Sequence, residues 1–171
     1  AAGPGSVPEQ LDVEASIAAD EVAALRAGRF LAQANDENGH AVRMWDFFPA
    51  VIERLGTREP NRRLGGLCVP ESVSLHADLG EALRGAELAV VVVPSTAVRS
   101  TIRAALDSRE AGGVAAWVLC SKGIEPGTRK LLHEVAAEEL GPGGDRRVVV
   151  LTGPSHAEEV ALGLPTSIVA A

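Results

Sequence analysis

From Ala41 to the end of the chain, short apolar runs alternate with amphipathic segments that carry capping residues, the pattern of a parallel sheet flanked by helices. "AVRMW" (41–45), "SVSLH" (72–76), "ELAVVVV" (87–93), "VAAWVLC" (114–120) and "RVVVLTG" (147–153) predict strands. Between them "PAVIERL" (49–55), "DLGEALRG" from Asp78, "STAVRSTIRAAL" (95–106), "GTRKLLHEVAAEEL" (127–140) and "HAEEVAL" (156–162) predict helices, and "SIVAA" (167–171) is a last apolar piece. The run 87–93 is apolar on both faces, as a central parallel strand must be when both sides are covered. Asp78 with Glu81 three positions later is a capping-box pattern, and Leu131, Leu132, Val135 and Ala136 form one stripe of the 127–140 segment. Upstream, "SIAADEVAALRAGRFLAQA" (16–34) places Ile17, Val22, Leu25 and Leu31 at helical spacing and predicts a helix rather than a strand. The fold class is α/β, doubly wound, with a mainly parallel sheet.

The chain has 171 residues, the size of about one domain. Its formal net charge of -7 leaves no basic surplus for nucleic acid or an anionic membrane, so neither is expected as a partner. The longest apolar runs are too short to span a bilayer, and the acidic N-terminal stretch resembles neither a secretory signal nor a transit peptide. Cys68 and Cys120 lie far apart and read as two reduced thiols of an intracellular protein. No zinc-type spacing is present, and no metal is expected.

Doubly wound sheets bind ligands outside the carboxyl ends of their strands. Three such places carry candidate chemistry. After 114–120 come Ser121, Lys122 and Gly123, where a lysine at the mouth of a core suits an anion; the bland alternative is an exposed turn lysine. After 147–153 comes "GPSHAEE", in which Gly153 permits close approach to the backbone and Ser155 with Glu158 has capping-box spacing. Ser155 is a helix N-cap on that pattern alone, and a helix N-terminus also offers N–H groups to an anion. After 41–45 come Asp46, Phe47 and Phe48: an acid for a ribose hydroxyl and rings for a base, or a turn residue and two core residues. The four histidines share no metal spacing, and "HEVAAEEL" reads as a solvated helix face.

The blocks "NGHAVRMW", "NRRLGGLCVPESV", "VVVPSTAV", "CSKGIEPGT" and "VLTGPSHAEEVALGLPTSIVAA" resemble, in order and with similar gaps, the N-terminal domain of NAD(P)-dependent glycerol-3-phosphate dehydrogenase. The resemblance runs from about Asn38 to the end and implies a Rossmann-like NAD-binding domain over 38–171 after a divergent, helical segment at 1–37. The implied reaction interconverts glycerol 3-phosphate and dihydroxyacetone phosphate, in glycerophospholipid metabolism. It implies that Lys122 contacts both cofactor and substrate, that Gly153 and Ser155 line the substrate side, and that Ala157 lies against the cofactor. Phe47 then falls at a cofactor-touching position, and Asp46, with no arginine at 47 or 48, favours NAD; NADP is the alternative, with Arg43 or Arg54 as the cation that would serve it.

The sequence departs from the family in two ways. The glycine-rich turn, G-x-G-x-x-G, falls at 23–28, where this chain reads "AALRAG": Gly28 is kept, while Ala23 and Leu25 stand at the first two glycines. The family's all-helical second domain, which supplies the proton-transferring lysine, would begin where this sequence stops. No residue here is therefore expected to be catalytic, and residues 1–171 alone are expected to show no dehydrogenase turnover. The expected partners are a small phosphorylated substrate and either a second copy of the chain or the missing helical domain, and the expected compartment is the cytoplasm, with an organelle such as a plastid as the alternative. A catalytically silent Rossmann-like interaction or regulatory module is the alternative function.

Overall fold

The computed structural model describes residues 29–36, 39–61, 66–155 and 157–171. Among the described residues seven strands form one sheet in the order β3-β2-β1-β4-β5-β6-β7. They are β1 (Arg29–Asp36), β2 (Gly39–Asp46), β3 (Val73–His76), β4 (Leu88–Val91), β5 (Ala116–Leu119), β6 (Val148–Thr152) and β7 (Val169–Ala170). The helices are α1 (Pro49–Gly56), α2 (Leu79–Leu83), α3 (Val98–Asp107), α4 (Leu132–Leu140) and α5 (Ala157–Ala161). β2 and β3 pair in parallel, as do β4 with β5 and β5 with β6. β1 is antiparallel to both β2 and β4, and β7 is antiparallel to β6. The strands β2 to β6 thus share one direction, and their carboxyl ends form one edge.

The strand at Arg29–Asp36 corrects the helical reading of 16–34 over its last residues; residues 1–28, and with them the rest of that segment, lie outside the described residues. Helical spacing lost to tertiary demand: β2 and β4 each present a backbone edge that must be hydrogen-bonded when buried, and 29–36 fills the slot between them. Direction follows from chain length. Asp36 stands opposite Gly39, and so short a link permits only antiparallel pairing, since a parallel partner needs a crossover of a dozen or more residues.

The core is split by the sheet according to residue parity. On one face Trp45, Ala89, Val91, Val93, Trp117 and Leu119 meet Leu83 of α2, Val98 and Ile102 of α3, and Leu132 and Val135 of α4. On the other, Val42, Met44, Val73, Val90, Val92 and Val118 cluster, with Leu55 of α1 against them. All four residues of β4 and all four of β5 are buried, as expected of strands covered on both faces.

Helix ends follow local chemistry. Pro49 opens α1, where its missing N–H costs nothing. The Asp78 side chain accepts from the Glu81 N–H at 2.8 Å and caps α2. The reciprocal half of the expected box is not made: the Glu81 carboxylate lies 3.7 Å from His76 Nδ1 instead. A single 3-10 turn, Ser95–Ala97, precedes α3.

The helix expected at 127–140 begins only at Leu132. Gly127 and Arg129 both take positive φ, Ile124 bridges Leu131, and the Glu125 N–H donates to the Lys130 carbonyl at 2.9 Å, so 124–131 is a closed loop. Leu131 accordingly leaves the expected apolar stripe and is about half exposed, while Leu132, Val135 and Ala136 are buried.

Ile102 is fully buried at the α3–sheet interface. Ile102→Ala is expected to lower the unfolding free energy by about 2–5 kcal/mol in urea denaturation, and Leu106→Ala, on the outer side of the same helix, by no more than about 0.5 kcal/mol. Equal small losses at both sites would contradict this packing.

Candidate functional site

The carboxyl edge brings together the ends of β2, β4, β5 and β6, and the side chains expected to carry chemistry lie along it. At the end of β2, Asp46 is 3% exposed and its Oδ1 accepts from the Phe48 N–H at 2.9 Å, closing the turn into α1. Phe47 and Phe48 are exposed, 71% and 62%, and stand edge-to-face with centroids 5.1 Å apart. Phe47 also meets the Trp45 ring edge-to-face at 6.5 Å. The two phenylalanines are therefore not core. They form a short aromatic ledge at the edge, an arrangement able to receive a planar ring. Asp46 acts as a turn residue through one carboxylate oxygen.

At the end of β5, the Ser121 hydroxyl donates to the carbonyls of Val93, at 2.6 Å, and Val91, at 3.3 Å, tying the exits of β4 and β5 together. The next residue, Lys122, is exposed and extends its Nζ to the Gly153 carbonyl oxygen at 3.0 Å. Two residues expected at the site are thus in direct contact, and the ammonium bridges the ends of β5 and β6. A cleft of about 310 Å³ opens here, lined by Ser121, Lys122, Gly123, Leu131, His133 and Thr152 among others. An ammonium beside such a cleft provides up to three donors to an anion.

Gly153 has a structural reason that sequence reasoning missed. A Cβ at this position would lie 2.1 Å from the Ser167 carbonyl oxygen, so the returning chain by itself requires glycine here. That chain continues into β7, where Val150 and Ala171 exchange backbone hydrogen bonds of 2.7 and 3.1 Å. Ser155 is half-buried just before α5, and Ala157, 7% exposed, begins that helix. Asp46 and Phe47 stand at the end of β2, Lys122 and Gly153 at the ends of β5 and β6. Gly28 lies outside the described residues; its neighbour Arg29 pairs with Asp46 through the backbone at the same edge.

Behind the Lys122 loop lies an ion cluster that the sequence did not reveal. Arg99 forms a fork on Glu125, Nε to Oε1 at 2.7 Å and one terminal nitrogen to Oε2 at 2.9 Å. The same guanidinium reaches Glu139 at 2.5 Å and Glu138 at 3.1 Å. Arg103 binds both oxygens of Glu139, Lys130 binds Glu138 at 2.6 Å, and the Thr128 hydroxyl donates to Glu125 at 2.5 Å.

These contacts perturb the acids in one direction. The Arg99 fork, followed by the Thr128 hydroxyl, holds the Glu125 carboxyl down at about 2. Lys130 first and then Arg99 lower Glu138, Arg103 and Arg99 lower Glu139, and Arg99 is itself raised, chiefly by Glu125. "HEVAAEEL" is therefore a paired face and not simply a solvated one. The available signal was Arg99 and Arg103 at i, i+4 on one helix and adjacent acids on the next, but only the fold sets those helices side by side.

A family model described as the NAD-dependent glycerol-3-phosphate dehydrogenase N-terminus matches residues 22–171. Glycerol-3-phosphate dehydrogenase (NAD(P)+) of Stenotrophomonas maltophilia (strain K279a) is 43% identical over 157 residues, covering 90% of this chain and 45% of the relative. The protein of the same name from Bacillus cytotoxicus is 39% identical over 146 residues, 84% of this chain and 42% of the relative. The crystal structure of glycerol-3-phosphate dehydrogenase from Coxiella burnetii superposes with a TM-score of 0.59 at 32% identity, over 74% of this chain and 37% of that one. That from Plasmodium falciparum, at 22% identity and a TM-score of 0.62, shares the fold over 75% of this chain and 36% of its own. This chain spans less than half the length of these relatives. The matched region begins at residue 22, upstream of the boundary near residue 38 that the sequence blocks suggested.

The Glu125 pairing sets the sign of a pH effect. A carboxyl whose folded value lies below its ordinary 4.5 stabilises the fold fully above that value, and the contribution is lost as pH falls through about 2. Glu125→Gln is therefore expected to be less stable than the parent chain at pH 6, with the gap closing towards pH 2 in denaturation curves; a gap constant across that range would contradict the pairing. Gly153→Ala is expected to cost about 1–3 kcal/mol by forcing the Ser167 carbonyl away, read as a lowered denaturation midpoint.

Proposed function

The chain belongs to the NAD-dependent glycerol-3-phosphate dehydrogenase family, whose N-terminal region it matches, and on that premise we propose that its carboxyl edge is the cofactor-facing half of an enzyme interconverting glycerol 3-phosphate and dihydroxyacetone phosphate. The observation that carries the reading is Lys122: an exposed ammonium at a strand end, hydrogen-bonded to Gly153 on the next strand and bordering a cleft. In this reading Lys122 binds phosphate-bearing ligands, cofactor and substrate alike, because a charge-assisted contact to a phosphoryl oxygen is stronger than its contact to a carbonyl. Gly153 and Ser155 border the substrate and Ala157 packs on the cofactor side; Gly28 is the one glycine kept from the pyrophosphate turn, and it is followed by strand β1 where that turn would open a helix.

The described residues fit a dinucleotide at its adenosine end. Phe47 offers an exposed ring, and the Asp46 carboxylate lies beside it with Oδ1 closing the turn. Arg43 is held by the Ala82 and Arg84 carbonyls, at 3.0 and 2.5 Å, and so is committed away from a 2'-phosphate, which leaves Arg54 as the cation that would serve NADP. The residues at 23–28, where the pyrophosphate would lie, are outside the described residues. When bound, the nicotinamide supplies hydride exchange; the residues of this chain hold and orient the reactants by charge and by contact.

No helix among the described residues is long and apolar enough to cross a membrane. A cytoplasmic setting suits two cysteines, Cys68 and Cys120, that are not joined in a disulfide, and a small phosphorylated substrate. A second reading, a silent interaction module, draws on the reversed β1, which brings the chain into the sheet at the carboxyl edge instead of leading it out there.

Titration of the chain with NADH, followed by the fluorescence of Trp45 and Trp117, tests the proposal. Trp45 stands beside Phe47 and should respond most. Saturable binding is expected, weakened about tenfold or more in Lys122→Ala, the scale of one lost charge-assisted hydrogen bond. A folded chain with no binding at millimolar NADH would favour the silent module.

A further inference from the structure

Lys122 sits between two anchors of different kinds. On its N-terminal side Ser121 is locked to the end of β4 and the residues just after it by hydrogen bonds to the Val91 and Val93 carbonyls. On its C-terminal side comes Gly123, at φ +116, a conformation that gives the chain a joint where other residues would be strained. What holds the chain beyond that joint is Glu125. Its backbone N–H bonds Lys130, closing the loop, and its carboxylate, 12% exposed, turns inward onto Arg99. Arg99 lies in the first turn of α3 and reaches Glu138 and Glu139 near the end of α4. One guanidinium therefore fastens the loop to the helix before β5 and to the helix after it.

We propose that Arg99 and Glu125 are positioning residues for Lys122: their forked ion pair fixes the 123–131 loop against α3 and α4 and thereby sets where the Lys122 ammonium stands at the carboxyl edge. The proposal rests on reading Lys122 as the anion-binding group. The arrangement calls for arginine specifically. A planar fork covers both Glu125 oxygens and still donates to two further carboxylates, which a lysine ammonium at position 99 cannot reproduce with the same geometry. Arg103 shares only the outer part of the cluster: it binds Glu139, is 62% exposed and does not touch Glu125.

The chain contains only two lysines, Lys122 and Lys130. Reductive methylation with 13C-formaldehyde thus labels two side chains and the N-terminal amine, keeps their charge, and reports each environment by NMR, Lys122 being assigned with Lys122→Arg. In Glu125→Gln and Arg99→Gln the Lys122 resonance is expected to move, and the affinity for NADH and for inorganic phosphate to fall about tenfold, as small displacements of a binding group do, with far-UV circular dichroism unchanged. Arg103→Ala is expected to leave the Lys122 resonance and both affinities as they are. If Glu125→Gln does not fold, Arg99→Gln, which removes the fork but adds no lysine and leaves Glu125 its bond from the Thr128 hydroxyl, carries the test. An unmoved Lys122 resonance in a folded variant overturns the positioning role. A resonance that moves in a parent chain binding neither probe supports the positioning role and removes the functional reading instead.

Discussion

β4 has no free edge, and the rest of the sheet follows from that. Its four residues are buried and its backbone is bonded on one side to β1 and on the other to β5. An unpaired amide in that position would carry the full desolvation penalty of a buried polar group. Both flanking slots must be filled, and the chain fills them with what its connections permit. Helical crossovers bring β5 and β6 in parallel to β4, while the short link to β2 brings β1 in reversed. The strands that share β4's direction end together, which is how residues as distant as Asp46, Lys122 and Gly153 come to occupy one edge.

At that edge, most of the polar contacts are internal. Asp46 closes a turn, Ser121 ties β4 to β5, and Lys122 rests on a carbonyl. Gly153 accommodates the strand that returns at Ser167. Groups engaged in this way are pre-placed, and a ligand would exchange with a weak internal contact without having to order a mobile side chain. The Lys122–Gly153 bond is of that kind, since an ammonium given up by one carbonyl and taken by a phosphoryl group gains in electrostatic strength.

The charges behind the edge work differently. Exposed ion pairs add little to stability because water and salt screen them. The Arg99 cluster matters through geometry: it joins a loop to two helices by directional bonds whose acids stay ionised far below neutral pH. Its exposed limbs, Arg103 and Lys130, are peripheral to that function. The aromatic ledge at Phe47 and Phe48 is held apart from it, at the end of β2, by the turn that Asp46 closes.

Much of this was legible in the chain itself. Unbroken apolar runs such as 88–93 specify buried central strands because no other element hides both faces, and their order with capped helices specifies a doubly wound sheet. The turn chemistry at strand ends pointed to Lys122 and Gly153, since such folds expose their ligand sites there. Tertiary structure decided what local pattern cannot carry. The helical spacing read over 16–34 extends into residues 29–34, yet these form a strand, because the slot between β2 and β4 outweighs a weak propensity. That Gly153 must also leave room for Ser167 could be seen only once the chain returned beside β6. Glu138 and Glu139 looked like solvated acids until the fold set α3 beside α4. Periodicity records which face of an element is apolar; which partner that face or charge will meet depends on residues far along the chain, and only the folded sheet brings them within reach.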